Sequence, residues 1–514
     1  MRVAVADVGT NSSHLLIAEA AQGDAGGFRV LDALKDRTRL GECLDGAGNL
    51  SPEGEDRLAS ALTRFRELAS AAGVAEVHVY ATSALREAPN GAEVAGRMLA
   101  RTGVYPAIIS GEREGELTYL GAAHAVELGE DNVLLDLGGG SLEFVRGDGQ
   151  GPRDVLSLPL GGIRMTRAFF RADVPGRKEV QALTDAVRAA LPPYAERFRV
   201  RPDTRVVLSS GTAEAAAEAI AARRGAGSGS GAGSDDGPDS VNGVSFTVAE
   251  LGALLEHVRG LKAAARARVP GLERRSETVV AGLATLHAAL TVLGASEVTV
   301  SEGALREGML IEELSRFQAY RSALSARQRS VLGTAERFGA NLSHSRQVAA
   351  LSRGLLDALH AAGEPADHED RSLLTAAGAL HEVGQIVAQS AHHKHSAYLI
   401  RHAELRGFSP REIELTAQVA RYHRKSPPKP SHAEFMALSA PDRARVTRLA
   451  AVLRVADGLD RSHAGGARLG ALRRAADGSW ELTVSGATPL DLAGARDKAD
   501  LWARVFGPLT LRAP

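Results

Sequence analysis

Two segments of this chain are built to one plan. In each, an apolar run of β-forming residues ends on an aspartate, a turn of small residues follows, and a second apolar run leaves. The first pairs Val3–Val8 with Leu15–Ala20 around Asp7, Gly9, Thr10, Asn11 and Ser12. The second pairs Asn132–Asp136 with Leu142–Arg146 around Gly138, Gly139, Gly140 and Ser141. A strand-turn-strand unit that recurs in this way is a weak internal repeat and points to an α/β body made of two similar halves. Glycine lets the backbone take positive φ and approach an anion closely, so two such turns across a cleft can hold neighbouring phosphates. A tight hairpin is the plain alternative for either turn alone; two alike turns, each after a strand-ending aspartate, favour the phosphate reading.

The surrounding pattern agrees with this plan. Pro52–Ala72 carries Leu58, Leu62, Phe65 and Leu68 at helical spacing, and Glu76–Tyr80 and Ala107–Ile109 read as short strands. After residue 127 the order repeats, with a helix through Val180, Leu183 and Val187 and strands at Arg205–Leu208 and Val298–Val300. The chain of 514 residues is too long for one core. The boundaries expected are 1–126 and 127–315 for two half-domains, 320–464 for an all-helical domain, and 465–514 for a small α+β domain. Residues 225–240, Gly- and Ser-rich, read as a flexible loop inside the second half.

Composition excludes little but is useful. The net charge is 61 − 62 = −1, so any anion site is local, and neither nucleic acid nor a membrane surface is an expected partner. The one cysteine, Cys43, cannot form an internal disulfide. With no leader-like N-terminal run and no long apolar stretch, a cytoplasmic location is expected.

Several residues near the turns are open to two readings. Asp7 and Asp136 cap their turns or bind magnesium, which takes few carboxylates and phosphate oxygens. Glu143, two residues past Ser141, faces the same cleft or solvent. The acidic residues in Ser110-Gly111-Glu112-Arg113-Glu114 complement a helix dipole or activate water. Arg86 is an exposed helical arginine or a phosphate clamp.

Taken in order, Asp7–Ser12, Ala81–Ala88, Ile109–Glu114, Asp136–Glu143, Ser210-Gly211-Thr212 and Ser301–Gly308 resemble the Ppx/GppA phosphatase family of exopolyphosphatases and guanosine pentaphosphate phosphohydrolases. The resemblance implies two actin-like, sugar-kinase-like and Hsp70-like α/β half-domains and a homodimer. It implies that Glu114 is the catalytic base for water and that Arg86 holds a phosphate. Asp136 and Glu143, with Asp7, would serve Mg2+. The turns at 9–12 and 138–141 and the Ser210–Thr212 run would contact phosphoryl groups. The family commonly has two adjacent glutamates where this chain has Arg113 and Glu114; the added charge strengthens phosphate binding or faces solvent. The expected substrate is inorganic polyphosphate, with guanosine pentaphosphate as the alternative and an actin-like kinase or ATPase as the reading from another class.

The helical region carries His344, His381-Glu382, His395, His423 and Asp457 at spacing similar to HD-type metal phosphohydrolases, with His-Glu in place of their His-Asp pair. It is read here as an HD-like domain with a structural and substrate-guiding role, a second metal site being the less favoured alternative. Lys394, Arg401, Arg421, Arg424, Lys425 and Lys429 form either a track for a polyanion or a solvated basic face.

Overall fold

The computed structural model describes residues 1–20, 27–227, 240–316 and 324–512. They form two compact units that part between Ala326 and Arg327. Most of the Gly/Ser-rich loop expected at 225–240 lies outside the described residues; its first positions close a helix, Gly211–Gly227.

The first unit holds two sheets of matching topology. Strands β1 (Arg2–Val8), β2 (Ser13–Ala20), β3 (Phe28–Asp36), β4 (Val77–Ala81) and β5 (Pro106–Ile108) lie in the order β3-β2-β1-β4-β5. Strands β6 (Asn132–Leu137), β7 (Leu142–Asp148), β8 (Gly151–Leu158), β9 (Arg205–Ser209), β10 (Ser245–Thr247) and β11 (Glu297–Val300) lie in the order β10-β11-β9-β6-β7-β8. In each sheet an antiparallel three-strand meander is followed by parallel strands, and the second sheet adds β10 antiparallel at its edge. The two turns read from the sequence close identical hairpins: the Gly9 amide donates to the Ser12 carbonyl at 3.1 Å, and the Gly138 amide to the Ser141 carbonyl at 3.0 Å. Register then sets Asp7 opposite His14 and Asp136 opposite Glu143.

Helices cover the sheets where their apolar faces demand it. Pro52–Ala71 starts on a Ser51 cap with proline in its first turn, an arrangement worth about 1 kcal/mol, and buries Leu58, Leu62 and Phe65 against the first sheet. Val279–Leu293 is apolar on nearly every side and lies inside the second half. The last helix of each half packs on the other half's sheet. Gly111–Ala125 sends Tyr119 and Ala122 against Leu134, Val145 and Val207, while Leu305–Arg316 sends Met309 and Leu310 against Val3, Val5 and Leu16. These two helices meet at backbone distance. A Cβ on Gly308 would fall 1.8 Å from the Leu117 carbonyl oxygen, and one on Gly121 would fall 2.0 Å from that of Ala304.

The second unit is a helical bundle built on Leu342–Ala361, His368–Leu380, His392–Arg401, Pro410–Arg421 and Ala440–Gly458. A sheet of β12 (Arg468–Arg474), β13 (Trp480–Ser485) and β14 (Leu509–Arg512) follows, with helices Pro489–Lys498 and Asp500–Val505. The pattern break at 464/465 does not divide the core: Trp480, Leu482, Trp502 and Phe506 join the same apolar cluster as Leu355, Leu374 and Leu453.

Candidate active site

Glu114 sits in the first turn of the Gly111–Ala125 helix, whose start is fixed by Ser110: its hydroxyl accepts from the Arg113 amide at 3.1 Å. Glu114 is 9% exposed. Arg86 Nη1 donates to Glu114 Oε2 at 2.9 Å and to the Ile109 carbonyl at 3.1 Å. The arginine expected on a phosphate thus also holds the carboxylate expected to act on water. Burial pushes Glu114 up from the ordinary glutamate value, Arg86 pulls it back, and Asp7 and Glu87 add to the rise. The Arg113 side chain is partly exposed. It pairs with Glu116 at 2.8 Å and with Glu312, so the departure from the family pattern serves helix-to-helix contact.

Asp136 and Glu143 lie side by side on β6 and β7. Thr118 Oγ1 donates to Asp136 Oδ2 at 3.4 Å, and Ser157 Oγ to Glu143 Oε1 at 2.7 Å. Glu143 is fully buried, and its other oxygen, Oε2, is buried without a hydrogen-bond partner. Burial, then the neighbouring Glu114, lift Asp136 to about 7. The same two causes and Asp136 lift Glu143 well above the usual range. Adjoining carboxylates that destabilise one another's charge, one with an orphaned oxygen, are the donor set a hard divalent cation would relieve. Asp7 differs. His14 Nδ1 lies 3.4 Å and Arg306 Nε 3.7 Å from its Oδ1. Burial alone would raise Asp7, but His14, Arg306 and Lys35 hold it below the ordinary aspartate value. Where Asp136 faces a carboxylate, Glu143, in the second half, Asp7 faces His14 in the first.

The two glycine turns approach one another. Thr10 Oγ1 and Ser83 Oγ are 3.4 Å apart, and a Cβ on Gly140 would fall 1.8 Å from Ser83 Oγ and 3.1 Å from Thr10 Oγ1. The carbonyls of the second turn are engaged from behind: Gly140 accepts from the Gly161 amide, Gly138 from Gly162, and Gly139 from Ile163 and Arg164. In the first turn, the Asn11 and Thr10 carbonyls accept from the Arg39 and Gly41 amides, while Ser12 Oγ bonds His14 Nε2 at 2.8 Å. Ser210 stands at φ 101°, a strained conformation for a residue with a Cβ, and its hydroxyl is buried without a partner. Arg275 crosses beside Gly211, where a Cβ would meet Nη2 at 1.8 Å, and Thr212 is buried against Gly282.

Four charged residues escaped sequence reasoning. Lys35, Arg275 and Arg306 lie close enough to act on one another, and Glu214 on the Gly211–Gly227 helix faces all three. Burial and then Arg275 and Arg306 lower Lys35; burial lowers Arg275. Arg306 lies inside the Ser301–Gly308 run singled out by resemblance, which was the available signal; Lys35 and Arg275 stand in segments with no local pattern.

In the second unit the expected polyanion track is divided. Arg401 pairs with Glu414 at 2.6 Å and with Glu434, which also pairs with Arg421 at 2.9 Å. Arg424 donates to the His392 ring. Lys394, Lys425 and Lys429 are exposed. His344, His381, Glu382, His423 and Asp457 come together as the spacing suggested, whereas the histidine set against His423 is His392, at 3.2 Å, and not His395.

The sequence profile of the Ppx/GppA phosphatase family matches residues 16–317, and that of the family's domain III matches 326–490. The chain belongs to the Ppx/GppA phosphatase family. Like other Ppx/GppA phosphatases it is a hydrolase of phosphoric anhydride bonds. Exopolyphosphatase 1 of Mycobacterium tuberculosis is 32% identical over 316 residues, 61% of this chain and 88% of that one. A guanosine-5'-triphosphate,3'-diphosphate pyrophosphatase of Photobacterium profundum is 28% identical over 447 residues, 87% of this chain and 84% of that one. A solved Ppx/GppA structure from Aquifex aeolicus, 26% identical, superposes with a TM-score of 0.52 over 62% of this chain and 98% of its own. The two sheets are therefore the paired actin-like half-domains of the Ppx/GppA fold, followed by the helical region and small C-terminal sheet. Among the described residues no helix is long and apolar enough to cross a membrane.

Proposed function

We propose that this phosphatase is an exopolyphosphatase, removing the terminal phosphoryl group of inorganic polyphosphate as orthophosphate. The observation that carries the reading is a buried carboxylate, Glu114, held by Arg86 beside Asp136 and Glu143 in the half-domain body that carries both glycine turns. The 32% identity to Exopolyphosphatase 1 across that body supports the same choice.

Phosphoryl transfer asks a protein for position and for neutralisation of charge. With the carbonyls of 138–140 engaged and the Gly138 amide closing the hairpin, the Gly139 and Gly140 amides are the groups left for phosphate oxygens. The 9–12 turn, Thr10 and the Ser210–Thr212 run take neighbouring phosphates, and Arg275, Arg306 and Lys35 extend the positive field. Arg86 makes both its contacts through Nη1, leaving Nη2 for an oxyanion. Asp136 and Glu143 would hold Mg2+, which when bound draws charge from phosphate oxygens and lowers the cost of attack. Glu114 orients water and accepts its proton; its raised affinity for protons suits a base working near neutral pH. The Ser110–Glu114 run, in which the family resemblance places a base for water and not for an acceptor hydroxyl, argues against an actin-like kinase.

A second reading has its own support. The Photobacterium relative named as a guanosine-5'-triphosphate,3'-diphosphate pyrophosphatase aligns across 87% of the chain, into the helical unit. Orthophosphate release from long polyphosphate, tripolyphosphate and guanosine pentaphosphate, measured side by side with Mg2+, separates the two. A kcat/KM for long chains at least tenfold above that for the nucleotide is expected; the reverse order overturns the polyphosphate assignment.

A further inference from the structure

The helical unit brings together side chains that the chemistry above does not use. His344, His381, His423 and Asp457 are all buried, and Glu382 is partly so. Each of these three histidines is oriented through Nδ1. His381 Nδ1 donates to the Gly378 carbonyl at 2.8 Å, and His423 Nδ1 to the Ala420 carbonyl at 2.7 Å. A carbonyl can only accept, so Nδ1 carries the proton and each Nε2 presents a lone pair. His344 Nδ1 lies 2.8 Å from Asp460 Oδ2 and is fixed the same way.

The Nε2 atoms of His344 and His381 are buried and make no hydrogen bond. They nevertheless face carboxylates. His344 Nε2 is 3.8 Å from both Glu382 Oε2 and Asp457 Oδ1, and His381 Nε2 is 3.7 Å from Asp457 Oδ1. Those separations are too long for hydrogen bonds. They match the edges of a coordination polyhedron, where donors bound at about 2.1 Å stand roughly 3–4 Å apart. His381, His423 and Asp457 form a second group of the same dimensions, sharing His381 with the first. Asp457 offers Oδ1 inward while Lys498 takes its Oδ2, and the Asp460 and carbonyl contacts behind the rings are the outer supports metal-bound imidazoles normally have.

Simple packing gives no reason for two buried imidazole nitrogens to face carboxylate oxygens at a distance that satisfies neither. We infer that His344, His381, Glu382, His423 and Asp457 bind a divalent transition-metal ion. Three imidazoles and two carboxylates suit zinc, cobalt, iron or manganese; magnesium and calcium prefer oxygen alone. The site is separate from the Asp136–Glu143 pair, which offers only oxygen.

The test uses the full chain carrying Asp136→Asn and Glu143→Gln, so that the first-unit carboxylates do not compete. The protein is stripped with chelator and titrated with Co2+, whose visible absorption reports nitrogen coordination directly. At least one equivalent bound at micromolar concentration or tighter, with absorption bands, is expected. Adding His381→Ala or Asp457→Asn should weaken binding at least a hundredfold, while adding His395→Ala should leave it unchanged. Zn2+ should raise the Tm of the starting protein but not of those two site variants, each checked by circular dichroism. Absence of a tight equivalent overturns the inference, and so does unaltered Co2+ binding in a folded His381→Ala or Asp457→Asn protein.

Discussion

Glu114 and its neighbours make the sharpest predictions at the level of single residues. Glu114→Gln keeps shape and burial but cannot take a proton, so kcat should fall by roughly 10²–10⁴ with little change in polyphosphate Kd. Steady-state kinetics with a filter-binding assay would measure both. Asp136 gives a prediction about stability. Its pKa is raised from 3.8 to about 7 in the folded chain, so between those values the native state holds a proton that the unfolded state has released. Stability from this group therefore falls as pH rises from about 4 to 7. Asp136→Asn should flatten the decline of Tm over that window in metal-free protein, and Mg2+ should raise wild-type Tm more at pH 8 than at pH 5. A Tm–pH slope identical in both proteins would remove Asp136 from the destabilised set. Glu114, Asp136 and Glu143 were all legible in the sequence because each sits in an ordered motif. The pairing of Arg86 with Glu114 was not, since it joins residues 28 positions apart through folding alone.

Among the elements, the hairpins were the most readable and the sheet edges the least. β1, β2, β6 and β7 are central or nearly so and keep continuous apolar runs. β3 and β8 lie at edges, half in water, and their mixed compositions carry no clean period. The second turn supplies a direct test of element geometry. A side chain at residue 140 must displace Ser83, whose hydroxyl stands where the new carbon would go. Gly140→Ala should lower kcat/KM at least tenfold while the far-UV spectrum stays native. Activity within twofold of wild type would show that the turn need not approach Ser83 so closely. The shared core of bundle and C-terminal sheet was beyond sequence reasoning, because contacts such as Trp480 with the helices depend on long-range packing that no local pattern encodes.

For the whole molecule, the division between Ala326 and Arg327 leaves every proposed catalytic group in the first unit. A protein ending at residue 326 should hydrolyse tripolyphosphate at a rate within about threefold of the full chain. On long chains it should release products early. With Arg401 and Arg421 already paired to glutamates, the contribution to processivity falls to Lys394, Arg424, Lys425 and Lys429, each worth little alone and screened by salt. Product ladders at two salt concentrations measure this; a folded truncation that stays fully processive would assign chain retention to the first unit.

The crossing of the helices Gly111–Ala125 and Leu305–Arg316 has a mechanical meaning. With Gly308 against the Leu117 backbone and Gly121 against that of Ala304, the helices have no room to slide, so a movement of one half-domain against the other would have to be a rotation about this contact. Glu114 lies about one turn from Leu117, about 4.5 Å along the axis, so a rotation of about ten degrees would carry its backbone less than about 1 Å. Under the exopolyphosphatase proposal, such a contact would let the half-domains turn to admit or release a phosphate chain while the backbone that carries Glu114 moves little.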